Sequence, residues 1–407
     1  MNGVVSEPPP PEPTVVLDMT PLDTDSRLRG FGRYVLTLAR GLAALPASER
    51  GGLRLLGLTH LGWDGSYKVT DRLDSWSGEA DVKSDPVRQH FAWAYRRRVA
   101  LSIALRRMGA DLVHLATPDA TPLAMWASGC KKLVTCHDLI DLRWPDQYLS
   151  PAKGGKVFGP LILRRRYTSA DHILAISDES AKDLGRFFGI SPAKITRVYN
   201  AIDHAKWSPE DRGRDATVVT GHGLVDRRYL VYVGDLDWRK NLEGMLFGLA
   251  HARREGAPDV VLALCGQISA DKRERVLRMA GEAGVTDAIK LLGYVSDDDL
   301  AALYRRSLAH LFVSRDEGFG LTVVEAMACG APVVTTRGGS LGEVAGDDAL
   351  LCDPEDREAI GRAILSLACD GALADRLRAA GVARAARFSV ERHARETLAL
   401  YRRLVGA

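Results

Sequence analysis

Two glutamates, Glu317 and Glu325, are separated by seven residues that combine a glycine-containing loop with the start of a predicted helix. The segment 310–313 before them has the length and apolar character of a buried strand. Glycines let the backbone of such a loop approach a ligand closely, and a helix start offers free amides and a positive dipole end to an anion. The spacing therefore predicts a cleft where both carboxylates accept hydrogen bonds from sugar hydroxyls beside a bound anion. From spacing alone, Glu325 as a solvated helix residue is an equally simple interpretation.

A pair of cations, Arg239 and Lys240, follows the predicted strand Tyr229–Val233 and precedes a predicted helix from Asn241. Positive charges at a helix N-terminus oppose the helix dipole, so they are unfavourable there unless they serve another purpose. A solvated helix start is the alternative interpretation. Because ligands of parallel sheets bind beyond the carboxyl ends of the strands, the pair is predicted to meet an anionic ligand.

His137 and Asp138 follow another predicted strand, 133–136. Their position after the strand places them at the edge of the sheet where chemistry is expected. A single histidine at a strand end is more often structural than catalytic. On the residues alone, both interpretations of His137 stay open.

Two short patterns suggest other chemistry. The segment DLD at 235–237 matches D-x-D, a pattern of carboxylates that suits a divalent metal. The segment GGSLG at 338–342 matches the G-x-S-x-G turn of serine hydrolases, but only His393 follows it as a partner and it does not directly continue a strand. Similar acidic pairs recur at 23–25 and 297–299, so both the metal site and the hydrolase site are the weaker hypotheses.

The elements that must position these residues are short β-branched runs alternating with longer amphipathic stretches. This alternation is typical of βαβ units in parallel sheets. The first series of predicted strands is 14–19, 53–58, 111–115, 133–136, 173–176 and 195–199, with a helix at 32–44. The second series is 229–233, 260–265, 289–292, 310–313 and 332–336. The fold class is therefore α/β, with two doubly wound parallel-sheet domains.

The domain limits follow from where these patterns stop. Residues 14–206 form the first domain and 229–388 the second, joined by a polar, glycine-containing segment at 207–228 that lacks a clear period. The five prolines within 1–13 predict a disordered tail and not a signal peptide. Residues 389–407 are predicted to form a last helix, with Ser389 as its N-cap and a return to the first domain as one arrangement.

Composition excludes several classes of protein. The chain has 407 residues of which 46% are hydrophobic, which excludes a disordered or fibrous protein. Its 55 basic residues nearly balance 52 acidic ones, so a nucleic-acid partner is not expected. Six cysteines without a C-x-x-C pair suit a reducing cytoplasm, and no apolar run reaches the length of a membrane span.

Two basic clusters bear on membrane contact. Arg96–Arg98 and Arg106–Arg107 flank the apolar run 99–105, and Arg164–Arg166 form the second cluster. Basic amphipathic helices can rest on anionic membranes. A helix that covers the sheet and exposes a solvated basic face is the simpler interpretation.

Seven segments form a specific pattern through their order along the chain. They are RGFGRY (29–34), CHDLIDLRWPDQ (136–147), ISDESAKDL (176–184), VYNAID (198–203), YVGDLDWRKN (232–241), LLGYVSDDDLAALYRRS (291–307) and EGFGLTVVEAMACGAPVVTT (317–336). The pattern resembles family 4 of the glycosyltransferases, whose members are retaining enzymes. The resemblance implies the GT-B fold, in which two Rossmann-like domains face each other across a cleft.

The resemblance also implies roles for individual residues. Glu317 would contact the hydroxyls of the donor sugar, and Glu325 the ribose of the nucleotide. His137 would approach the transferred sugar, while Arg239 and Lys240 would meet the diphosphate; the expected catalytic residues are His137, Glu317, Lys240 and Arg239. The remaining residues expected to bind the donor are Gly32, Tyr294, Gly318, Phe319, Gly320, Leu321 and Thr322.

By the same resemblance, the protein would transfer a hexose from a GDP-mannose or UDP-hexose type of donor, with retention, to an acceptor hydroxyl. The acceptor would be a sugar, a lipid-linked molecule or a small molecule, and neither metal nor cofactor would be needed. A cytoplasmic enzyme is expected, with peripheral contact to the inner face of a membrane as an option. A nucleotide-sugar epimerase on the same fold and a non-catalytic sugar-binding relative are the alternatives. Gly342 stands where the family carries proline, and Asp235 where many relatives carry a basic residue.

Overall fold

The computed structural model describes residues 12–23, 30–62, 66–75, 91–120, 129–149 and 155–407, with side chains at all of these except 91–98 and 120. The predicted tail at 1–13 therefore lies almost entirely outside the described residues, as does Arg29. The side chains of Arg96–Arg98 also lie outside them.

Strands in these ranges form two sheets. They are β1 (Thr14–Asp18), β2 (Arg54–Leu61), β3 (Tyr67–Thr70), β4 (Leu112–Leu115), β5 (Lys131–Cys136), β6 (His172–Ala175), β7 (Ile195–Arg197), β8 (Tyr229–Val233), β9 (Val261–Cys265), β10 (Ile289–Gly293), β11 (Ala309–Phe312), β12 (Val333–Thr336) and β13 (Leu350–Cys352).

The first sheet has the strand order β3-β2-β1-β4-β5-β6-β7. All its neighbouring strands are parallel except β2 and β3, which are antiparallel. Strand β1 lies inside the sheet: Val15 and Leu17 pack into one core and Val16 into the other. A strand buried on both faces reads as a continuous apolar run, which is why the sequence predicts it.

The second sheet has the order β10-β9-β8-β11-β12-β13, and all its strands are parallel. The strand order reverses between β1 and β4 in the first sheet and between β8 and β11 in the second. Crevices at the carboxyl ends of the strands open at such points. Two doubly wound domains of the predicted class are thus confirmed.

Helices cover both sheets. They are α1 (Gly30–Ala44), α2 (Ala47–Arg50), α3 (Phe91–Met108), α4 (Ile140–Arg143), α5 (Pro145–Tyr148), α6 (Gly155–Thr168), α7 (Asp178–Phe188), α8 (Asp215–Gly221), α9 (Leu242–Glu255), α10 (Ala270–Glu282), α11 (Asp297–Arg306), α12 (Leu321–Ala328), α13 (Leu341–Ala345), α14 (Arg357–Cys369), α15 (Gly371–Ala385) and α16 (Val390–Val405). In the part of the chain that the structure describes, none of them is long and apolar enough to cross a membrane.

The segment between the domains is more ordered than its sequence predicts. It contains α8, whose Asp215 is fully buried and accepts two hydrogen bonds of 2.7 Å from the guanidinium of Arg305 on α11. This ion pair joins residues ninety positions apart. The linker at 207–228 was predicted from the absence of a clear period, and α8 forms within it because a tertiary contact, which no local period reveals, holds the helix.

The last helix, α16, packs against the first domain. Ser389 caps it by accepting a hydrogen bond from the Arg392 amide. The Tyr401 hydroxyl lies 2.6 Å from Nδ1 of His114 on β4, and Lys131 Nζ of β5 donates to the Leu404 carbonyl. The end of the chain therefore packs against the first sheet.

Candidate active site

The carboxylate of Glu317 lies after β11 and is held by two cations. Lys240 Nζ is 2.7 Å from Glu317 Oε1, and Arg239 Nη1 is 2.6 Å from Oε2. Burial acts to raise the pKa of Glu317, but the charges of Lys240 and Arg239 outweigh it and lower that pKa. Glu317 is therefore ionised at neutral pH and lies between the two positive charges.

A short 3-10 helix, Trp238–Lys240, presents these cations. Asp237 begins it by accepting a hydrogen bond from the Arg239 amide. Asn241 ends it in the left-handed conformation, with φ of 56°, and donates to the carbonyls of Val313 and Pro354. Asp237 also accepts the Tyr148 hydroxyl from the first domain, so one carboxylate of the D-x-D pattern caps a helix and joins the domains.

The loop that carries Glu317 is held in place by hydrogen bonds from the GGSLG segment. Both the backbone amide and the hydroxyl of Ser340 donate to the Glu317 carbonyl at 3.1 Å. Ser340 is completely buried, so it supports the loop and is not exposed as a hydrolase nucleophile would be. Gly320 has φ of +93°, a left-handed conformation that favours glycine, and it starts α12.

His137 follows β5 and faces this loop across the domains. Its Nε2 is 2.8 Å from the Ala116 carbonyl, which can only accept, so Nε2 carries a proton and Nδ1 is the acceptor. Burial lowers the pKa of His137 to about 4. The imidazole is thus neutral at pH 7. Its backbone is close to Gly318: a Cβ added there would lie 2.8 Å from the His137 carbonyl oxygen.

Buried neutral histidines make the stability of the protein sensitive to acid. Burial lowers the pKa of His114 to about 3 and the pKa values of His137 and His310 to about 4. Unfolding restores ordinary values of about 6.5, so near pH 5 these three histidines together bind about three more protons in the unfolded chain than in the folded chain. Their contribution to the free energy of unfolding should be fully present above pH ~6.5 and be lost as the pH drops towards ~4, by roughly 4 kcal/mol per unit near pH 5. The carboxyls of Asp183 and Asp316, whose pKa values burial raises to about 6, act in the opposite direction.

Urea unfolding at several pH values between these limits checks the slope. The variant His310→Asn should reduce it by about 1.4 kcal/mol per unit, the share of one proton. A slope that His310→Asn leaves unchanged would contradict the neutral assignment of His310.

The cleft between the domains is lined by most of the residues that were predicted from the sequence to bind the donor. It has a cavity volume of about 270 Å³, near the lower end of the range of small-molecule sites. Its lining includes Gly30, Phe31, His137, Asp138, Ile176, Asn200, Lys240, Phe312, Glu317, Gly318, Phe319, Gly320, Leu321 and Thr322. Arg239 does not line it directly and reaches it through its ion pair with Glu317.

A second cavity of about 170 Å³ shares Asn200 and Leu321 with the first and is lined by Glu325. Glu325 is 1% exposed, and its Oε1 accepts a hydrogen bond of 2.8 Å from Arg33 of α1. Among the described residues, its other oxygen, Oε2, and the Thr322 hydroxyl are buried with no hydrogen-bond partner. Buried polar atoms are normally paired, so these two atoms are candidates for contact with a ligand.

Two predicted donor contacts are placed differently from expectation. Gly32 is buried in the first turn of α1, so the expected glycine loop is a helix start, which begins at Gly30 and not at Gly32. Tyr294 follows β10 and is 74% exposed, outside the residues that line the two cavities. The GYVSDDDL stretch gave no local signal for the direction of the tyrosine side chain.

Contacts that hold the two domains together were not predicted. Asp316 accepts hydrogen bonds from Arg143 at 2.6 Å and from Trp144 Nε1 at 2.8 Å, both from the first domain. Glu343 of α13 accepts the amides of Asp178 and Glu179 at the start of α7. For both contacts, the sequence shows only that an acidic residue lies next to a glycine-containing loop. It does not indicate which residue that carboxylate contacts.

The site combines a lysine and an arginine paired with Glu317, a helix start and a neutral imidazole around one cleft. Fixed positive charge and helix amides stabilise negative charge that develops on a departing phosphate. Carboxylates and an imidazole acceptor at the same cleft can hold sugar hydroxyls. Within the described ranges, no group of three or more His, Cys, Asp or Glu side chains could hold a metal ion.

Family comparisons divide the chain in the same way as the sheets. The model described as Glycosyltransferase Family 4 matches residues 28–206, and the model described as Glycosyl transferases group 1 matches residues 221–384. The two matches together contain His137, Lys240 and both glutamates.

Two curated relatives come from Escherichia coli. The O-antigen chain mannosyltransferase B is 34% identical over 277 residues, which cover 67% of this chain and 71% of the relative. The serotype-specific mannosyltransferase WbdA is 25% identical over 403 residues, which cover 92% of this chain but 46% of WbdA. The chain thus spans less than half of the second relative.

Solved structures share the architecture. Sucrose-phosphate synthase from Thermosynechococcus elongatus superposes with a TM-score of 0.75 at 21% identity, covering 97% of this chain and 99% of that one. Anabaena HepE in complex with UDP and glucose gives 0.70 at 16% identity, covering 95% and 99%. These likenesses show the GT-B fold. The two family matches and the 34% identity to O-antigen chain mannosyltransferase B show that the chain belongs to glycosyltransferase family 4, and the protein is a glycosyltransferase.

Proposed function

We propose that the protein transfers a hexose from a nucleoside diphosphate sugar to an acceptor hydroxyl, with retention at the anomeric carbon. The observation that carries the proposal is the position of Glu317, ionised between Lys240 and Arg239 and facing His137 across the cleft. The diphosphate of the donor would bind at the start of the helix at Leu321 and to the two cations. The hydroxyls of the sugar would donate hydrogen bonds to Glu317.

Mannose is the sugar we propose, with GDP-mannose as the first donor to test. Its support is the name of the two Escherichia coli relatives, which are mannosyltransferases. A UDP-hexose is the second donor type, since HepE, a protein of the same fold, was solved with UDP and glucose. The acceptor is a sugar or a lipid-linked saccharide in this proposal.

Retention would follow a same-face route. The departing phosphate would assist deprotonation of the acceptor hydroxyl while the new bond forms on the side that the leaving group vacates. Lys240 and the amides of α12 would stabilise the growing charge on the phosphate more than that of the bound donor. The neutral His137 would hold a sugar hydroxyl through Nδ1.

The reaction should need no divalent metal, because Arg239, Lys240 and the start of α12 supply the positive field for the diphosphate. Transfer in excess EDTA should proceed within about twofold of the untreated rate, whereas losing a single stabilising charge costs roughly 10²-fold or more. A complete loss that manganese restores would favour the D-x-D hypothesis, and the variant Asp235→Asn would then abolish the rescue.

The two glutamates should differ in what they contribute. Glu317→Gln keeps an acceptor but loses its charge, so kcat should fall about tenfold while donor binding is kept, because charged hydrogen bonds exceed neutral ones by ~1–1.5 kcal/mol. Glu325→Gln should instead raise the donor KM about fivefold with little change in kcat. Steady-state kinetics with varied donor separates the two. Small and equal effects would mean that the donor lies elsewhere.

Binding and product formation together test the function. A thermal-shift screen of GDP-mannose, UDP-hexoses and dTDP-glucose should single out one donor, because a ligand at 100 times its Kd stabilises by about 2.7 kcal/mol. NMR of the product should show the anomeric configuration of the donor. Consumption of donor to an isomeric nucleotide sugar without acceptor would indicate an epimerase. Binding without any turnover would indicate a non-catalytic relative.

A further inference from the structure

The outer face of α6 is apolar where a soluble helix is normally polar. Val157 is 62% exposed, Phe158 70%, Leu161 54% and Ile162 41%. At about 100° per residue these four side chains fall within one arc of roughly 140°. The opposite side, which includes Tyr167, is the buried one. Contiguous exposed apolar patches on monomers mark interaction surfaces.

Positive charge borders this patch. Arg164 and Arg165 are exposed in the last turns of α6. Helix α3, which like α6 contacts the 3-10 turn Pro118–Ala120, adds the 41% exposed Ile103. Its exposed basic residues are Arg106 and Arg107. We call this surface, made of 157–165 and 103–107, the α6 face.

Acidic groups near the α6 face are few and paired. Among the described residues around it, the Asp119 carboxylate pairs with Arg166 of α6. The Asp146 carboxylate pairs with Lys156, at the start of the helix. The three exposed arginines at 107, 164 and 165 therefore leave the surface with a positive charge.

We propose that the α6 face docks on a lipid bilayer that contains anionic lipids. Apolar side chains entering the interface and arginines meeting the phosphate headgroups are the two contributions that bind interfacial helices. A second copy of the chain fits less well, because an interface between two copies would remove the charges of Arg164 and Arg165 from water without an anionic partner, whereas lipid phosphates pair with them.

The position of α6 links this docking to the cleft. The helix connects the parallel strands β5 and β6, so it runs opposite to them and starts at the carboxyl edge of the sheet. His137 follows β5 at that same edge. Val157 and Phe158, at the start of α6, are thus on the cleft side, and docking would bring the first-domain side of the cleft towards the lipid surface.

Co-sedimentation with vesicles tests the proposal independently of any transfer activity. The protein should bind vesicles of phosphatidylcholine mixed with phosphatidylglycerol, and bind phosphatidylcholine alone weakly. The double variant Phe158→Ser, Leu161→Ser should lower the partition coefficient at least about tenfold. Burying one such apolar side chain contributes more free energy than a tenfold change in the partition coefficient corresponds to. The double variant Arg164→Glu, Arg165→Glu should lower it by at least about tenfold on mixed vesicles only.

Matched controls come from the second domain. Leu277→Ser on α10, where Leu277 is 39% exposed, should leave the partition coefficient within about twofold, as should Arg376→Glu on α15. Because the substituted side chains are exposed, all variants should keep the wild-type unfolding midpoint, and a variant that does not is replaced by the corresponding single substitution.

Three results would overturn the proposal. The first is a wild-type protein that does not bind the mixed vesicles. The second is binding that the α6 variants leave unchanged. The third is a concentration-dependent dimer, seen by sedimentation velocity, that the Phe158→Ser, Leu161→Ser variant abolishes, since this would assign the α6 face to a second copy of the chain.

Discussion

Replacing Lys240 with alanine should lower kcat by about 10² to 10³-fold while donor affinity falls much less. The ammonium group is buried, 2.7 Å from Glu317 Oε1 and over the ring of Phe312. In the proposed reaction, charge on the diphosphate grows as the glycosidic bond breaks, so the lysine stabilises the transition state more than the bound donor. The variant also leaves Glu317 with one cation instead of two.

Donor binding by calorimetry and turnover should be measured on the same folded variant. Lys182→Ala is a matched control, because Lys182 also pairs with a glutamate, Glu179, but its side chain is 74% exposed. That control should change kcat by less than about twofold, as exposed pairs contribute little. Lys240→Arg should also be poor, because the planar guanidinium is longer and Arg239 occupies the neighbouring space. Normal turnover of Lys240→Ala, or a loss confined to KM, would show that Lys240 does not serve the leaving group.

Adding one methyl group at Gly318 should lower kcat by about 10²-fold without unfolding the protein. The new Cβ would lie 2.8 Å from the His137 carbonyl oxygen and 2.9 Å from Asp138 Cβ, closer than real contacts allow. These atoms belong to the other domain, so the two domains must move apart to accommodate the methyl group. The core of each domain should stay intact. A displacement of about 1 Å between catalytic groups is enough for a loss of this size.

Gly371→Ala is the control for this substitution, because the structure has nothing within 4 Å of a Cβ at that position. Its kcat should match that of the wild type. Donor affinity of Gly318→Ala should stay within a few-fold, since most of the expected donor contacts lie in the second domain. If Gly318→Ala kept its full kcat, the separation of the domains seen here would not be the one at which transfer occurs.

The strands that position the site could be predicted because they are buried on both faces. Strand β8, for example, is Tyr229–Val233 both in the prediction and in the structure. Two edge strands were missed: β3 has four partly exposed residues and β13 only three, too few for a pattern. A strand that is stabilised mainly by pairing with its neighbour cannot be predicted from its local sequence.

The candidate site could be predicted as a set of residues but not as a set of contacts. The sequence directed attention to Glu317, Lys240 and His137, which the structure brings to one cleft, although their roles stay predictions. It gave no sign that Glu317 and Lys240 pair with each other. The contact between Arg143 and Asp316 joins residues 173 positions apart, and such a pairing depends on how two finished domains meet.

The return of α16 to the first sheet has a consequence for how the chain acquires its structure during synthesis. The ribosome releases the first 206 residues long before it makes Tyr401, whose hydroxyl meets His114 in the first sheet. Until then, the surface of α1 that receives Val390 and Ala394 at Gly41 has no cover. Contacts this distant along the chain slow folding and prolong the exposure of apolar surface. We therefore expect the nascent first domain to expose this apolar surface of α1 until the end of the chain has been synthesised.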